Sequence, residues 1–229
     1  VQGDDVLSPE VLTQKHLRNR VSYVQVFDVH PQSYSGTHRA ATYYTYDIHG
    51  NVDTLVQDYG SSQYYSNAMN TTGNRYKKIA YNYDLVSGKV NQVIYQPGYF
   101  NTATSKWIKP ADQFIHSYQY DAENRLTEVA VSTDSIIWER IAQYNYYRHG
   151  PLATTVYGQQ QVQSVTNAYT LQGWIKGIVP GNDANTVIAR QAFNYGLGYY
   201  EGDYKPISNT HPFASITGGT DLYNGNMKA

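Results

Sequence analysis

Carboxylates and imidazoles are the side chains of this chain best suited to acid–base work or metal binding, and their spacing decides whether they can do either. Asp47, Asp84 and Asp121 each follow a tyrosine pair, as Tyr44-Thr45-Tyr46-Asp47, Tyr81-Asn82-Tyr83-Asp84 and Tyr118-Gln119-Tyr120-Asp121. Two carboxyl groups about 5 to 10 Å apart would suffice for glycoside hydrolysis, and equivalent positions on adjacent copies of a repeat can approach that separation. An aspartate at the end of a strand is more simply an acceptor for the backbone amides of the following turn, and that reading is adopted. The 7 histidines are His16, His30, His38, His49, His116, His149 and His211, and no pair has helical metal-ligand spacing with a carboxylate partner. His49 and His149 share one turn position directly before a glycine, where a polar turn residue explains them. Gly181-Asn182-Asp183-Ala184-Asn185 has the residue types of a calcium loop without its length or its closing glutamate. There is no Gly-x-Ser-x-Gly elbow, no phosphate loop and no cysteine. The chain is therefore expected to be no enzyme, with no catalytic residues, no cofactor and no metal.

The aspartates belong to a recurring unit. Tyr44-Thr45-Tyr46-Asp47-Ile48-His49-Gly50-Asn51-Val52 aligns with Tyr81-Asn82-Tyr83-Asp84, after which Gly88 follows, and with Tyr118-Gln119-Tyr120-Asp121-Ala122-Glu123-Asn124-Arg125-Leu126. Tyr144-Asn145-Tyr146-Tyr147-Arg148-His149-Gly150-Pro151-Leu152 is a further copy in which Tyr147 replaces the aspartate. A fainter one runs from Ala168 through Tyr169, Gly173, Trp174 and Ile175, and another surrounds Phe193 and Tyr195. The Tyr-x-Tyr pair puts both rings on one face of a strand, because side chains alternate with a period of two. Gly50, Gly88, Asn124, Gly150 and Gly173 tolerate a positive φ, so the chain reverses there. Val52, Val90, Leu126 and Leu152 then begin a return strand. Such units placed side by side extend a single sheet.

The elements that carry the units are mainly strands. Short stretches of alternating aromatic or β-branched and polar residues, punctuated by Gly, Asn and Asp, run from Val21 onward. Ser8-Pro9-Glu10 ahead of Val11, Leu12 and Leu17 has the signature of a helix start, and predicts a short helix from about Pro9 to Asn19. Asn67 to Asn74, Pro97 to Pro110 and Pro180 to Asn185 read as polar loops between repeats, and none is a convincing interdomain linker. Residues 1–229 are expected to form one repeat region cut from a longer polypeptide. Tyrosine contributes 25 residues against 5 phenylalanines and 2 methionines, which suits a half-buried pleated surface. A net charge of -1 without a basic stripe disfavours nucleic acid, and no apolar run is long enough to span a bilayer.

The series of tyrosine-aspartate strands, each followed by a glycine or asparagine turn and an aliphatic return strand, resembles the YD-repeat, or Rhs-repeat, family over roughly Tyr43 to Ile178. Tyr146 to Gly158 and Gly202-Asp203-Tyr204-Lys205-Pro206 look like bacterial Rhs proteins of the Bacteroidetes type. The resemblance implies one long antiparallel sheet that spirals into part of a hollow shell, in a protein that is secreted or on the cell surface. It also implies, as partners, the rest of the same polypeptide, adjacent repeat strands and an enclosed C-terminal effector. The family's self-cleaving core motif begins Asp-Pro, a dipeptide this sequence lacks, so the resemblance places neither that motif nor the effector here. The competing expectation is a cell-surface adhesin or carbohydrate-binding module that uses exposed tyrosines.

Overall fold

The alternation of half-buried aromatic or β-branched residues with polar ones produces strands throughout the computed structural model, which describes residues 11–27, 40–59, 69, 72, 74–101, 104–179, 193–205 and 218–228. The strands are β1 (Tyr23–Val26), β2 (Ala40–Tyr46), β3 (Val52–Asp58), β4 (Tyr76–Tyr83), β5 (Val90–Tyr95), β6 (Tyr99–Asn101) and β7 (Lys106–Ile108). They continue as β8 (Phe114–Tyr120), β9 (Leu126–Ser132), β10 (Glu139–Tyr146), β11 (Leu152–Tyr157), β12 (Gln163–Tyr169), β13 (Ile175–Val179) and β14 (Tyr195–Gly196). One 12-stranded antiparallel sheet has the order β1-β2-β3-β4-β5-β8-β9-β10-β11-β12-β13-β14, and β6 and β7 pair apart from it. The sheet is open, with β1 and β14 at the ends of that order.

The chain divides into two compact units, residues 1–117 with 132–137, and residues 118–131 with 138–229. In the first, Ala41, Tyr43 and Val56 are buried, and Val11, Leu12 and Tyr76 pack against them. Val129, Ala130, Ala142, Val156, Ala168 and Tyr199 are the buried apolar residues of the second. Small side chains are frequent at these positions, and apart from Tyr43 and Tyr199 the described tyrosines stay half-buried or exposed.

No helix forms over residues 11–19, which corrects the expectation for Pro9 to Asn19; Pro9 itself lies outside the described residues. Lys15 is instead held against β2: its N–H donates to Thr45 Oγ1 at 2.9 Å, and its carbonyl accepts from the Tyr46 N–H at 3.2 Å. His16 and Asn19 have φ of 55° and 58°, which a right-handed helix cannot contain. The capping signal is a local preference of about 1 kcal/mol, and the burial of Val11 and Leu12 against the sheet outweighs it.

The segment from Pro97 to Pro110 also differs from the loop reading, because β6 and β7 form a hairpin with Tyr99 opposite Ile108 and Asn101 opposite Lys106. The reading of Asn67 to Asn74 falls largely outside the described residues, and that of Pro180 to Asn185, with its calcium-loop residue types, falls wholly outside them.

Four hairpins of the recurring unit share a register fault. Pairing slips between Thr45 and Tyr46, between Asn82 and Tyr83, between Asn145 and Tyr146, and between Ala168 and Tyr169. In each case one return-strand residue, Asp53, Asn91, Ala153 or Lys176, is left over as a β-bulge next to the turn.

Candidate functional site

The conspicuous arrangement in the described residues is a repeated turn joined to a repeated tyrosine contact. In the turn after β2, the Asp47 N–H donates to the Asn51 carbonyl at 2.9 Å, and the Gly50 N–H donates to the Asp47 carbonyl at 3.2 Å. The same frame recurs with Asp121 and Asn124, with Tyr147 and Gly150, and with Thr170 and Gly173. At Asp84 it is one residue longer and closes on Gly88 and Lys89. Gly50, Gly88, Asn124, Gly150 and Gly173 all have positive φ, between 62° and 114°, as the reversal requires.

The aspartates are occupied by their own turns. Asp47 Oδ1 accepts from Gly50 N–H at 2.7 Å and Asn51 N–H at 2.8 Å, and Oδ2 accepts from Asn51 Nδ2. Asp84 Oδ1 accepts from Val86 and Ser87 N–H groups. Asp121 accepts from the N–H groups of Glu123 and Arg125 and from the Arg125 guanidinium at 2.7 Å. Hydrogen bonds from Ser87 hold the Asp84 carboxyl below the usual carboxylate range. For Asp47 and Asp121, desolvation pushes the other way, but donors from Asn51 and Arg125 respectively prevail and lower both. A carboxylate held ionised by local donors is a poor proton donor, so these groups are not set up as general acids.

Five tyrosines, three of them second members of a Tyr-x-Tyr pair, reach back to earlier chain. Tyr46 Oη donates to the Val21 carbonyl at 2.9 Å, and Tyr83 Oη to that of Val52 at 3.0 Å. Tyr146 Oη donates to Leu126 at 2.8 Å, Tyr169 Oη to Leu152 at 3.1 Å, and Tyr199 Oη to Ile175 at 2.7 Å. Val52, Leu126, Leu152 and Ile175 each open a return strand, and Val21 lies two residues before β1. Burial pushes the Tyr83, Tyr169 and Tyr199 phenols above their ordinary value of 10.0. The first tyrosines, Tyr44, Tyr81, Tyr118 and Tyr144, stand two residues earlier on β2, β4, β8 and β10, with Tyr81 stacked 6.3 Å from Tyr83. Tyr120 ends β8 and, like those of Tyr83 and Tyr144, its phenol is raised by burial.

Two copies escaped the sequence reading. Tyr199 does for Ile175 what the other second tyrosines do, although no Tyr-x-Tyr pair announces it. At the start of the described chain, Asn19-Arg20-Val21 reproduces Asn124-Arg125-Leu126: Asn19 and Asn124 have φ of 58° and 62°. Arg20 lies over the Tyr46 ring at 5.4 Å as Arg125 lies over Tyr146 at 4.5 Å. The stretch read as a helix thus ends in a repeat turn, and the shared Asn-Arg-aliphatic triplet was the signal that could have identified it.

Ion pairs between distant residues were not visible in sequence. Asp58, 1% exposed, accepts from Arg75 Nε at 2.7 Å and Nη2 at 2.8 Å. Lys176, the residue left over at the β12–β13 bulge, pairs with Asp203 at 2.8 and 2.9 Å, and Asp203 also accepts from the Tyr199 N–H. Among the described residues, no group of three or more His, Asp and Glu side chains could hold a metal ion. His30, His38 and His211 lie outside those residues.

No family model matches the sequence. No curated protein matches it. Among solved structures, the fold is similar to a crystal structure of TcdB2-TccC3 without its hypervariable C-terminal region, with 11% identity and a TM-score of 0.49, over 78% of this chain and 8% of that one. It is similar to a second crystal structure of TcdB2-TccC3 with 12% identity and a TM-score of 0.49, over 78% of this chain and 9% of that one. The chain thus spans less than a tenth of either.

Proposed function

We propose that this chain is a stretch of structural wall in a YD-repeat, or Rhs-type, shell of bacterial origin. The shell encloses a C-terminal effector carried elsewhere in the same polypeptide and is secreted or displayed at the cell surface. The observation that supports a wall is the set of contacts from Tyr46, Tyr83, Tyr146, Tyr169 and Tyr199 to carbonyls of the preceding unit, which join successive units by side chains as well as by strand pairing. An adhesive face would need those rings exposed and coplanar, whereas their hydroxyls are engaged within the sheet. The repeat aspartates serve their own turns, which supports a wall rather than a catalyst.

The test is limited proteolysis of the native full-length polypeptide, followed by mass spectrometry. A wall predicts that peptides from any downstream effector appear only after the repeat region has been cut. Immediate release of downstream peptides from an intact repeat region would overturn enclosure. Turnover of a chromogenic glycoside that Asp121→Asn abolishes without loss of fold would overturn the non-catalytic reading.

A further inference from the structure

The inserted β6–β7 hairpin forms one side of a cleft of about 690 Å³ within the first unit, whose lining includes Tyr76, Lys78, Gln96, Tyr99, Asn101 and Asp112. That is the size range of small-ligand sites. Its hydrogen-bonding character is one-sided. Gln96 Oε1 is used by the Lys78 N–H at 2.9 Å, and Asn101 Oδ1 by the Thr104 N–H at 3.1 Å. Both oxygens face backbone donors, which fixes the amide orientation and leaves Gln96 Nε2 and Asn101 Nδ2 as the groups to offer. Asp112 Oδ2 is bound by Lys77 Nζ. Asn74 Nδ2, also in the lining, donates to Thr72, whereas Gln96 Nε2 and Asn101 Nδ2 have no acceptor among the described residues.

Lys78 is the cation among those donors. Its Nζ has no hydrogen bond or ion pair among the described residues, and burial holds its pKa below the usual lysine value. The backbone beneath it is fixed on both sides, because Gln96 N–H donates to the Lys78 carbonyl at 2.8 Å while Gln96 Oε1 takes the Lys78 N–H. Gln96 holds φ at 50°, a conformation uncommon for a residue with a side chain. An ammonium taken partly out of water without a counter-charge favours an anion in its place. Tyr99, 48% exposed, and Pro97 add flat apolar surface beside it.

We propose that this cleft binds an acidic carbohydrate, with the sugar carboxylate on Lys78 Nζ, ring and hydroxyl oxygens on Gln96 Nε2 and Asn101 Nδ2, and the C–H face of the ring against Tyr99. A pyranose supplies the several acceptors and the flat apolar face that this lining matches, and a carboxylate supplies the missing charge. The site is built from an insertion and uses none of the repeat tyrosines, so it stands independently of the wall reading.

Titration calorimetry on the full chain tests it, with a galacturonate trimer, the methyl ester of that trimer, N-acetylneuraminic acid and an acid-ended tetrapeptide as probes. Saturable binding of the trimer or of N-acetylneuraminic acid is expected, with the ester at least about 10-fold weaker; which of the two acids binds tells a polymer-derived uronate from a sialic acid. Lys78→Met should weaken binding at least about 10-fold and Lys78→Arg by less, with both variants retaining the wild-type circular dichroism and melting temperature to show that the fold is intact. Should Lys78→Met not fold, Asn101→Ala, on the inserted hairpin, is the second variant and should weaken binding about 5-fold. Failure of both sugars to bind, equal binding of acid and ester, unchanged affinity in a folded Lys78 variant, or preference for the peptide would each overturn the proposal.

Discussion

A phenol that donates to a carbonyl contributes about 1 kcal/mol when the contact is made, and the second tyrosines make it repeatedly. Tyr146→Phe keeps the ring under Arg125 and removes only the hydroxyl from the Leu126 carbonyl, so a loss of about 1 kcal/mol is expected in urea denaturation. The phenols also give the fold a pH limit. Tyr83, Tyr169 and Tyr199 are raised above 10.0 in the folded chain, so their contribution is fully present below the ordinary phenol value and is lost as pH rises through the folded values. Melting temperature should therefore fall in the alkaline range above about pH 10, together with the rise of tyrosinate absorbance. Asp84 works in the opposite direction: its lowered pKa stabilises above the ordinary carboxylate range and is lost as pH falls through the folded value. The largest single-residue effect is expected at Lys176 and Asp203, whose side chains are 9% and 7% exposed. Asp203→Ala strands a buried ammonium and should cost about 3 to 5 kcal/mol, whereas Lys176→Met with Asp203→Leu should recover only part of that loss, because the Tyr199 N–H still lacks its acceptor. Thermal denaturation of the single and double variants would show it.

Turns separate local strain from local crowding. Gly50 and Gly150 have φ of 97° and 114°, but a Cβ on Gly150 meets open space whereas one on Gly50 lies 2.5 Å from Arg20 Nη2. Gly150→Ala should cost about 1 to 2 kcal/mol from backbone conformation alone. Gly50→Ala should cost more, and the excess should vanish in an Arg20→Ala background, because the clash is with the end of a flexible side chain. The strand–turn–strand unit was legible in sequence because its information is local: alternation, an aspartate two to four residues from the amides it binds, and a residue tolerant of positive φ. The hydroxyl acceptors were not, since Val52 and Tyr83 are separated by 31 residues, a distance over which no periodicity speaks. The Pro9 to Asn19 helix failed for the complementary reason, as its signal was local and the competing partner, Thr45 on β2, lay 30 residues away from Lys15. The cleft around Lys78 was invisible because an inserted hairpin completes it, and the insertion read as a loop.

For the molecule as a whole, the strand order leaves β1 with β2 as its one partner among the described strands. Its residues Tyr23, Val24 and Val26 are 44%, 50% and 50% exposed, and its Tyr-Val-Gln-Val sequence carries no charge. Such an edge is a template for another strand, so the isolated chain is expected to associate with rising concentration in sedimentation velocity. Val24→Lys should reduce that association while changing the stability by no more than about 0.5 kcal/mol. An unchanged sedimentation profile in Val24→Lys would place the contact elsewhere.

Five tyrosine contacts run in one direction, with the donor later in the chain than the carbonyl it binds, at Tyr46, Tyr83, Tyr146, Tyr169 and Tyr199; Tyr147, which replaces the repeat aspartate, instead donates forward to the Asn167 carbonyl at 2.8 Å. During translation the acceptor at each of the five has therefore already left the ribosome when its donor emerges. At those five contacts a nascent hairpin can latch onto its finished predecessor without waiting for anything still to be made, so most of the array is suited to assemble like a ratchet in the order of its synthesis, with the Tyr147 contact closing only once Asn167 has followed.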